Sequence, residues 1–391
     1  MLTQRQLFLQ HLAQTSDMPL ALEIEHAEGI YIYDNKGKKY IDLISGISVS
    51  NTGHRHPAVV KAVKDQLDKY MHLMVYGEYI QTPQVKLATM LADLLPPSLN
   101  CSYFVNSGTE ATEGALKLAK RFTGRSEIIT FKNAYHGSTH GSLSVMGNEY
   151  FKQAFRPLLP DIRFIEYNKP EDLKYITNKT ACVIAESIQG EAGVIIPDAS
   201  FMNALRKQCS DKGALLILDE VQTGLGRTGK MFCFEHYGIV PDVITLAKGF
   251  GGGMPLGAFI SSNEIMSCLT NNPYLGHITT FGGHPVSCAA AIANIEVIKK
   301  EKLIETVEGK ARLFQKLLKH ESIKSFRGKG LLIALEFENE KSNMNIIRKC
   351  IDNGVIVDWF LFAPHCMRIA PPLVIKEEEI KEGCEKIISC L

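Results

Sequence analysis

The chain has 391 residues, 45% of them hydrophobic and 22% charged, the composition of a globular protein that can bury a large core. Its 43 Lys and Arg balance 42 Asp and Glu to leave a net charge of +1, so no long-range field draws it to nucleic acid or to an anionic membrane surface. The ten cysteines have neither CxxC nor metal-ligand spacing. We therefore expect reduced thiols, no metal and a cytoplasmic location. No leader pattern and no apolar run of about 18 residues argue for secretion or a membrane span.

In chain order, IYIYDNKGKKYIDL predicts a hairpin that turns on NKG. FVNSGTEATEGALKLAKRFTG at 104–124 predicts a helix with Ala111, Ala115, Leu118, Ala119 and Phe122 on its apolar face. Ser107 and Glu110 should form a capping box at its start, and Lys120 and Arg121 lie near its end before Gly124. Short apolar runs then alternate with helical patterns: EIITF at 127–131, ACVIAE at 181–186, ALLILD at 214–219, VITLAK at 243–248 and LGAFI at 256–260. The helix between the second and third of these ends at Gly213, a C′ glycine. This is an α/β pattern, a mainly parallel sheet with helices on its faces. A long helix from 286, the strand LLIALEF at 331–337 and a closing Lys/Glu-rich helix after Pro371-Pro372 suggest a smaller α+β domain. The expected division is 1–50 as an N-terminal segment packing with that small domain, 51–285 as the large domain and 286–391 as the small one.

Ligands of open parallel sheets bind beyond the carboxyl ends of the strands. Glu186, Asp219 and Lys248 each stand there after a buried apolar run, where an ionisable group is costly unless paired or used. Ser107, Gly108 and Thr109 stand at the start of the helix within 104–124, with free N–H groups and the positive dipole end, a ready phosphate site, though a plain capped helix would look the same. GLGRTG at 224–229 satisfies GxGxxG, but the preceding run ends at Asp219 and a short aromatic stretch follows, so the context of a dinucleotide site is missing. His54 and His56 have no Cys or carboxylate cluster beside them and read as structural.

The stretch LLILDEVQTGLGRTGKMFCFEHYGIVPDVITLAKGFGGGMPLGAF, with GHRHP, NSGTEA, YHG, ESIQGEAG, TTFGGHP and RIAPPL in order along the chain, closely resembles the class III pyridoxal-phosphate aminotransferases of fold type I. The resemblance implies a role for each matching residue. Lys248 would hold pyridoxal 5'-phosphate as a Schiff base and then move a proton on the substrate. Asp219 would keep the pyridinium nitrogen protonated. Gln222 would donate to the phenolic oxygen, with Val221 and Tyr135 on the two ring faces. Ser107, Gly108 and Thr109 would hold the phosphate. Thr280 would reach the phosphate of a neighbouring subunit in a homodimer with shared active sites. Arg368 would grip a carboxylate of 2-oxoglutarate, and Glu191 would mask that arginine when an ω-amine donor binds.

The resemblance thus implies a ping-pong transfer from an amine or ω-amino acid to a 2-oxo acid, nearest the acetylornithine, ornithine and 4-aminobutyrate branch. Two positions depart from that branch. Ser138 stands where its members carry a second carboxylate-binding arginine, and Ile47 aligns with the tyrosine of ornithine aminotransferase. Diamines, or donors without a distal carboxylate, gain weight accordingly. The competing readings are an aminomutase of the glutamate-1-semialdehyde type on the same fold, an NAD-dependent oxidoreductase resting on GLGRTG, and a non-catalytic protein that keeps the fold, which retention of Lys248 and Asp219 opposes.

Overall fold

The computed structural model, which describes residues 2–391, sets the apolar runs side by side in a seven-stranded sheet. Its spatial order is Cys101–Val105, Gly257–Ser261, Val243–Leu246, Leu215–Asp219, Thr180–Glu186, Glu127–Phe131 and Ile162–Ile165. Neighbours are parallel except where Gly257–Ser261 runs antiparallel to the strands on both its sides. The connection 247–256 is too short for the helical crossover that a parallel return requires, so this strand reverses.

The strands read as unbroken apolar runs because both faces of the sheet are covered. Ile128, Ile184, Leu215, Ile217 and Phe259 face one core with Ala111, Ala115, Leu118 and Ala119 of the helix Gly108–Thr123. Ile129, Val183, Leu216, Leu218 and Ile244 face the other, with Phe201, Met202 and Leu205 of Ala199–Lys212 and Cys288, Ala291 and Ile295 of Pro285–Lys300. Phe122 departs from the expected face. It is exposed, because the last turn of its helix runs past the edge of the covered surface. The capping box is also only half made. Ser107 Oγ accepts from Glu110 N at 3.3 Å, but the Glu110 carboxylate turns back to Asn106 N at 2.6 Å rather than to Ser107 N. Gly124 and Gly213 close their helices in the left-handed conformation as C-terminal glycines do.

Two four-stranded sheets flank this unit. Ser325–Lys329, Leu332–Glu336, Ala363–Ile369 and Asp358–Phe360 form an antiparallel sheet packed by Glu340–Asp352. The NKG hairpin, Tyr31–Asp34 with Lys39–Asp42, turns at Gly37 with φ +78° and pairs through its second strand with Val355–Ile356 from the C-terminal part. The N-terminal hairpin and the C-terminal region therefore share one sheet.

Arg227 joins these parts. The guanidinium is fully buried and donates to Leu331 O, Pro371 O, Ser45 Oγ and Asn51 Oδ1. GLGRTG is thus a turn that ties the large sheet to the C-terminal segments. A side chain at Gly226, where φ is +91°, would meet Leu373 and Ile304, so its glycine serves close packing rather than a pyrophosphate.

Candidate active site

Glu186 and Asp219 are register partners at the carboxyl ends of adjacent parallel strands, and Asp219 is level with Thr245 on the next. Lys248 follows that third strand as the first residue of a short 3-10 turn, with φ +48°. A non-glycine residue held in the left-handed region stores strain that the surrounding structure must impose, a feature of functional positions. Burial pushes the Lys248 ammonium below its ordinary pKa, opposed by the nearby Glu191 carboxylate and assisted by Arg368.

A cavity of about 480 Å³ opens at this end of the sheet, the size of a small-molecule site. Ser107, Gly108, Thr109, Tyr135, Asp219, Val221, Gln222 and Lys248 all line it. At its floor, Asp219 Oδ2 lies 2.7 Å from His136 Nδ1, while Oδ1 accepts from Val221 N at 3.0 Å. Both side chains are buried, so the contact acts at low dielectric, where a hydrogen bond to a carboxylate is strong. His136 was not singled out from the sequence. The signal available was its place in YHG, directly after the aromatic residue.

Glu186 is a positioning group. Its two oxygens accept from Tyr135 N at 3.0 Å and Gly190 N at 2.8 Å. Burial first, and then the Asp219 charge, pushes its carboxyl up to about 8. The left-handed run Ser45–Ser48, with φ between +46° and +64°, leads into Val49 at the cavity wall. Asp42 Oδ1 holds it by accepting from Ile44 N and Ser45 N.

Three predicted residues lie outside the lining. Glu191 and Arg368 form a buried pair beside it, Oε2 to Nη2 at 2.8 Å. Thr280 is exposed at the surface. Arg368 has a second carboxylate that the sequence did not reveal. Asp358, its register partner on the neighbouring strand, sets Oδ1 3.2 Å from Nε. Burial pushes the Asp358 carboxyl up to about 7 against the pull of Arg368. Phe360 lies under the guanidinium at 4.6 Å; Arg368 Nε and Nη1 are buried and form no hydrogen bond among the described residues, while Nη2 also donates to Trp359 O at 2.9 Å. The histidines GHRHP supplies are structural contacts: His54 pairs with Asp42 at 2.8 Å, and His56 caps the helix Pro57–Leu67. Glu336, His365 and Cys366 cluster elsewhere, but Arg327 pairs with Glu336 and lies 3.2 Å from Cys366 Sγ, placing a fixed cation where a metal would sit.

A lysine amine, a histidine-backed aspartate and a helix N-terminus around one cavity, on a sheet of this order, define a pyridoxal-phosphate-dependent transaminase of fold type I. The chain belongs to the class-III aminotransferases: the profile of the family "Aminotransferase class-III" matches residues 12–391. It is 41% identical to an acetylornithine aminotransferase of Archaeoglobus fulgidus, over 94% of each chain. It is 40% identical to one of Methanocaldococcus jannaschii, over 95% of this chain and 93% of that one. Among solved structures it is similar to a transaminase from the marine bacterium Virgibacillus, with TM-score 0.92 and 29% identity over 98% and 97% of the two chains. It is also similar to the ornithine aminotransferase of Toxoplasma gondii, with TM-score 0.91 and 28% identity over 98% and 93%.

The residues present fit pyridoxal phosphate. Gln222 Nε2 is buried and without a partner among the described residues, a donor left for an acceptor from outside the chain. A side chain at Gly137, where φ is +123°, would run into Thr109, and one at Gly108 would meet Val221 at 3.0 Å. Both glycines therefore keep the backbone close around the helix N-terminus. The first-turn N–H groups there have no intrahelical acceptors and suit a phosphate. The aminomutase and nicotinamide readings are not favoured. No helix among the described residues is long and apolar enough to cross a membrane.

Proposed function

We propose that the enzyme moves the amino group of a primary amine or ω-amino acid to 2-oxoglutarate, with Lys248 as the covalent anchor of the cofactor and as its proton-transfer group. The convergence of Lys248, the Asp219–His136 pair and the unpartnered Gln222 amide on one cavity carries this reading. The cofactor supplies an electrophilic carbonyl and a ring that accepts the electrons released when the substrate carbon loses its proton. Asp219 holds a proton at the ring nitrogen, and His136 keeps the Asp219 carboxylate oriented. Gln222 would donate to the phenolic oxygen, Ser107 to Thr109 would hold the phosphate, and Val221 and Tyr135 would pack on the ring. The Lys248 amine, its pKa lowered by burial, would take the proton from the substrate carbon that bears nitrogen and deliver it to the carbon that was the cofactor's carbonyl, and would run the same transfer in reverse for the acceptor.

For the acceptor, Arg368 binds a carboxylate once Glu191 swings away, because its unpaired Nη1 and the one Nη2 hydrogen that Glu191 releases then form a fork, while Nη2 keeps its bond to Trp359 O. We infer a homodimer in which the exposed Thr280 reaches the partner's phosphate. The chain around it, with Tyr274, Leu275, Ile278 and Phe281 exposed, supports that reading. All ten cysteines are free, which supports a reducing, cytoplasmic setting. The large cofactor-binding domain is assigned to 51–285 and the small one to 286–391, with 1–50 beside it.

The test is an absorbance spectrum of the purified enzyme titrated with glutamate. Under this reading the visible band of the bound cofactor bleaches with glutamate and returns with 2-oxoglutarate. Lys248→Ala should keep cofactor through the phosphate contacts yet lose turnover by several orders of magnitude. Near-normal turnover of that variant would remove Lys248 from the mechanism.

A further inference from the structure

Thr109, Thr112 and Glu113 stand three and four residues apart in the helix Gly108–Thr123 and so share one of its faces. All three are bonded to the segment 136–142, which follows Tyr135. Thr112 Oγ1 donates to His136 O at 3.0 Å. Thr109 Oγ1 accepts from Thr139 N at 3.2 Å and lies 2.7 Å from Thr139 Oγ1 and 3.0 Å from Ser142 Oγ. Ser142 Oγ in turn donates to Thr109 O at 3.1 Å.

Glu113 organises this segment. Its Oε1 accepts from Gly141 N at 2.8 Å, from Ser142 N at 3.1 Å and from the Thr139 hydroxyl. The two N–H groups open the helix His140–Ser144, whose own N-cap residue, Thr139, does not cap it with its side chain. A carboxylate from another helix therefore satisfies donors that would otherwise be orphaned, with the sign the helix dipole favours. A side chain at Gly141 would come within 2.1 Å of Glu113 Oε2, so the glycine admits the carboxylate. Through Thr139 and Ser142, Glu113 fixes where the Thr109 hydroxyl stands. Thr109 lines the cavity and Glu113 does not.

We propose that Glu113 is a positioning residue for the cofactor's phosphate, locking 137–142 against the first helical turn and thereby setting the Thr109 side chain. This rests on the pyridoxal-phosphate reading above and adds a residue to it.

The test titrates cofactor-free enzyme with pyridoxal 5'-phosphate and, separately, with pyridoxal, reading each dissociation constant from the growth of the visible band. Both aldehydes carry the ring and react with Lys248, so the ratio of the two constants isolates the phosphate. Glu113→Ala should lower the preference for the phosphorylated aldehyde by at least about tenfold, the scale of one misplaced hydrogen bond to a charged group. Removing a nearby negative charge would by itself tighten phosphate binding, so this loss has the sign of lost positioning. Glu113→Gln keeps an acceptor oxygen and should retain most of the preference. Thr139 is exposed, so Thr139→Val can sever the hydroxyl link without disturbing the core, and it should lower the preference about threefold, the scale of one neutral hydrogen bond. An unchanged ratio in Glu113→Ala or in Thr139→Val, an equal fall in both affinities, or a glutamine variant as impaired as the alanine one each overturns the proposal. A wild-type enzyme with no preference for the phosphorylated aldehyde would sink the cofactor reading itself, and this proposal with it.

Discussion

His136 Nδ1 and Asp219 Oδ2 stand 2.7 Å apart with both side chains buried, although 83 residues separate them in the chain. This contact fixes which face of the carboxylate meets the cavity and stabilises its charge. His136→Phe should lower kcat by about tenfold to a hundredfold, the worth of a hydrogen bond to a charged group. The visible band should also shift its pH dependence, because the ring nitrogen loses a well-oriented anion. An unaltered pH titration of that band, even with lower activity, would leave His136 a packing residue.

Arg368 has carboxylates on two sides, with Asp358 at Nε and Glu191 at Nη2. Asp358 sets a charge beside Nε without hydrogen-bonding it, so departure of Glu191 leaves Arg368 with Nη1 and one Nη2 hydrogen free for a carboxylate. Arg368→Ala should raise KM for 2-oxoglutarate by the equivalent of about 2–5 kcal/mol, the cost of truncating a charge-paired contact. Asp358→Asn should raise the same KM more modestly and leave kcat for the donor half-reaction near its original value. Steady-state kinetics with varied 2-oxoglutarate separate the two effects, and an unchanged KM in the alanine variant would assign the carboxylate to another group.

Glu186 introduces a pH dependence of stability. Its carboxyl is raised from 4.5 to about 8, chiefly by burial and secondly by the Asp219 charge. A group whose folded pKa exceeds its unfolded one contributes stability that is complete below the unfolded value and fades as pH rises through the folded value. Thermal unfolding midpoints should therefore fall more steeply between about pH 5 and 8 in the wild type than in Glu186→Gln. Parallel curves would mean that Glu186 is ionised throughout this window.

Arg227 should matter to folding rather than to chemistry. Arg227→Met leaves Leu331 O, Pro371 O and Asn51 Oδ1 without their donor, and buried acceptors that lose a charged donor cost about 3 kcal/mol or more. Denaturant unfolding should register that loss, while activity per folded molecule stays close to normal. Binding of NADH by the wild-type protein would contradict the structural assignment of GLGRTG.

Much of the architecture was legible because its signals are local. Apolar runs of strand length, a serine before a helical pattern and glycines after it each report the conformation of a few consecutive residues. That is why EIITF forms the strand Glu127–Phe131 and Gly213 closes Ala199–Lys212. The ionisable residues at strand ends stood out because burying a charge after an apolar run is expensive. Phe122 and the Glu110 half of the capping box were misread because their partners depend on where the helix leaves the sheet and where Asn106 lies.

The sequence by itself determined five of the seven strands of the large sheet, the placing of Glu186, Asp219 and Lys248 beyond buried runs, and the likeness to class III aminotransferases. Only the tertiary structure decided that His136 backs Asp219, that Asp358 flanks Arg368 and that a buried arginine in a dinucleotide-like motif ties two sheets together. Those contacts join residues 83, 10 and 104 to 182 positions apart. Even the pair only 10 apart meets across two strands, so chain spacing does not report it. Hydrogen bonds and ion pairs of this kind are set by which strands become neighbours, and neighbour choice is settled by packing of the whole core rather than by any local pattern.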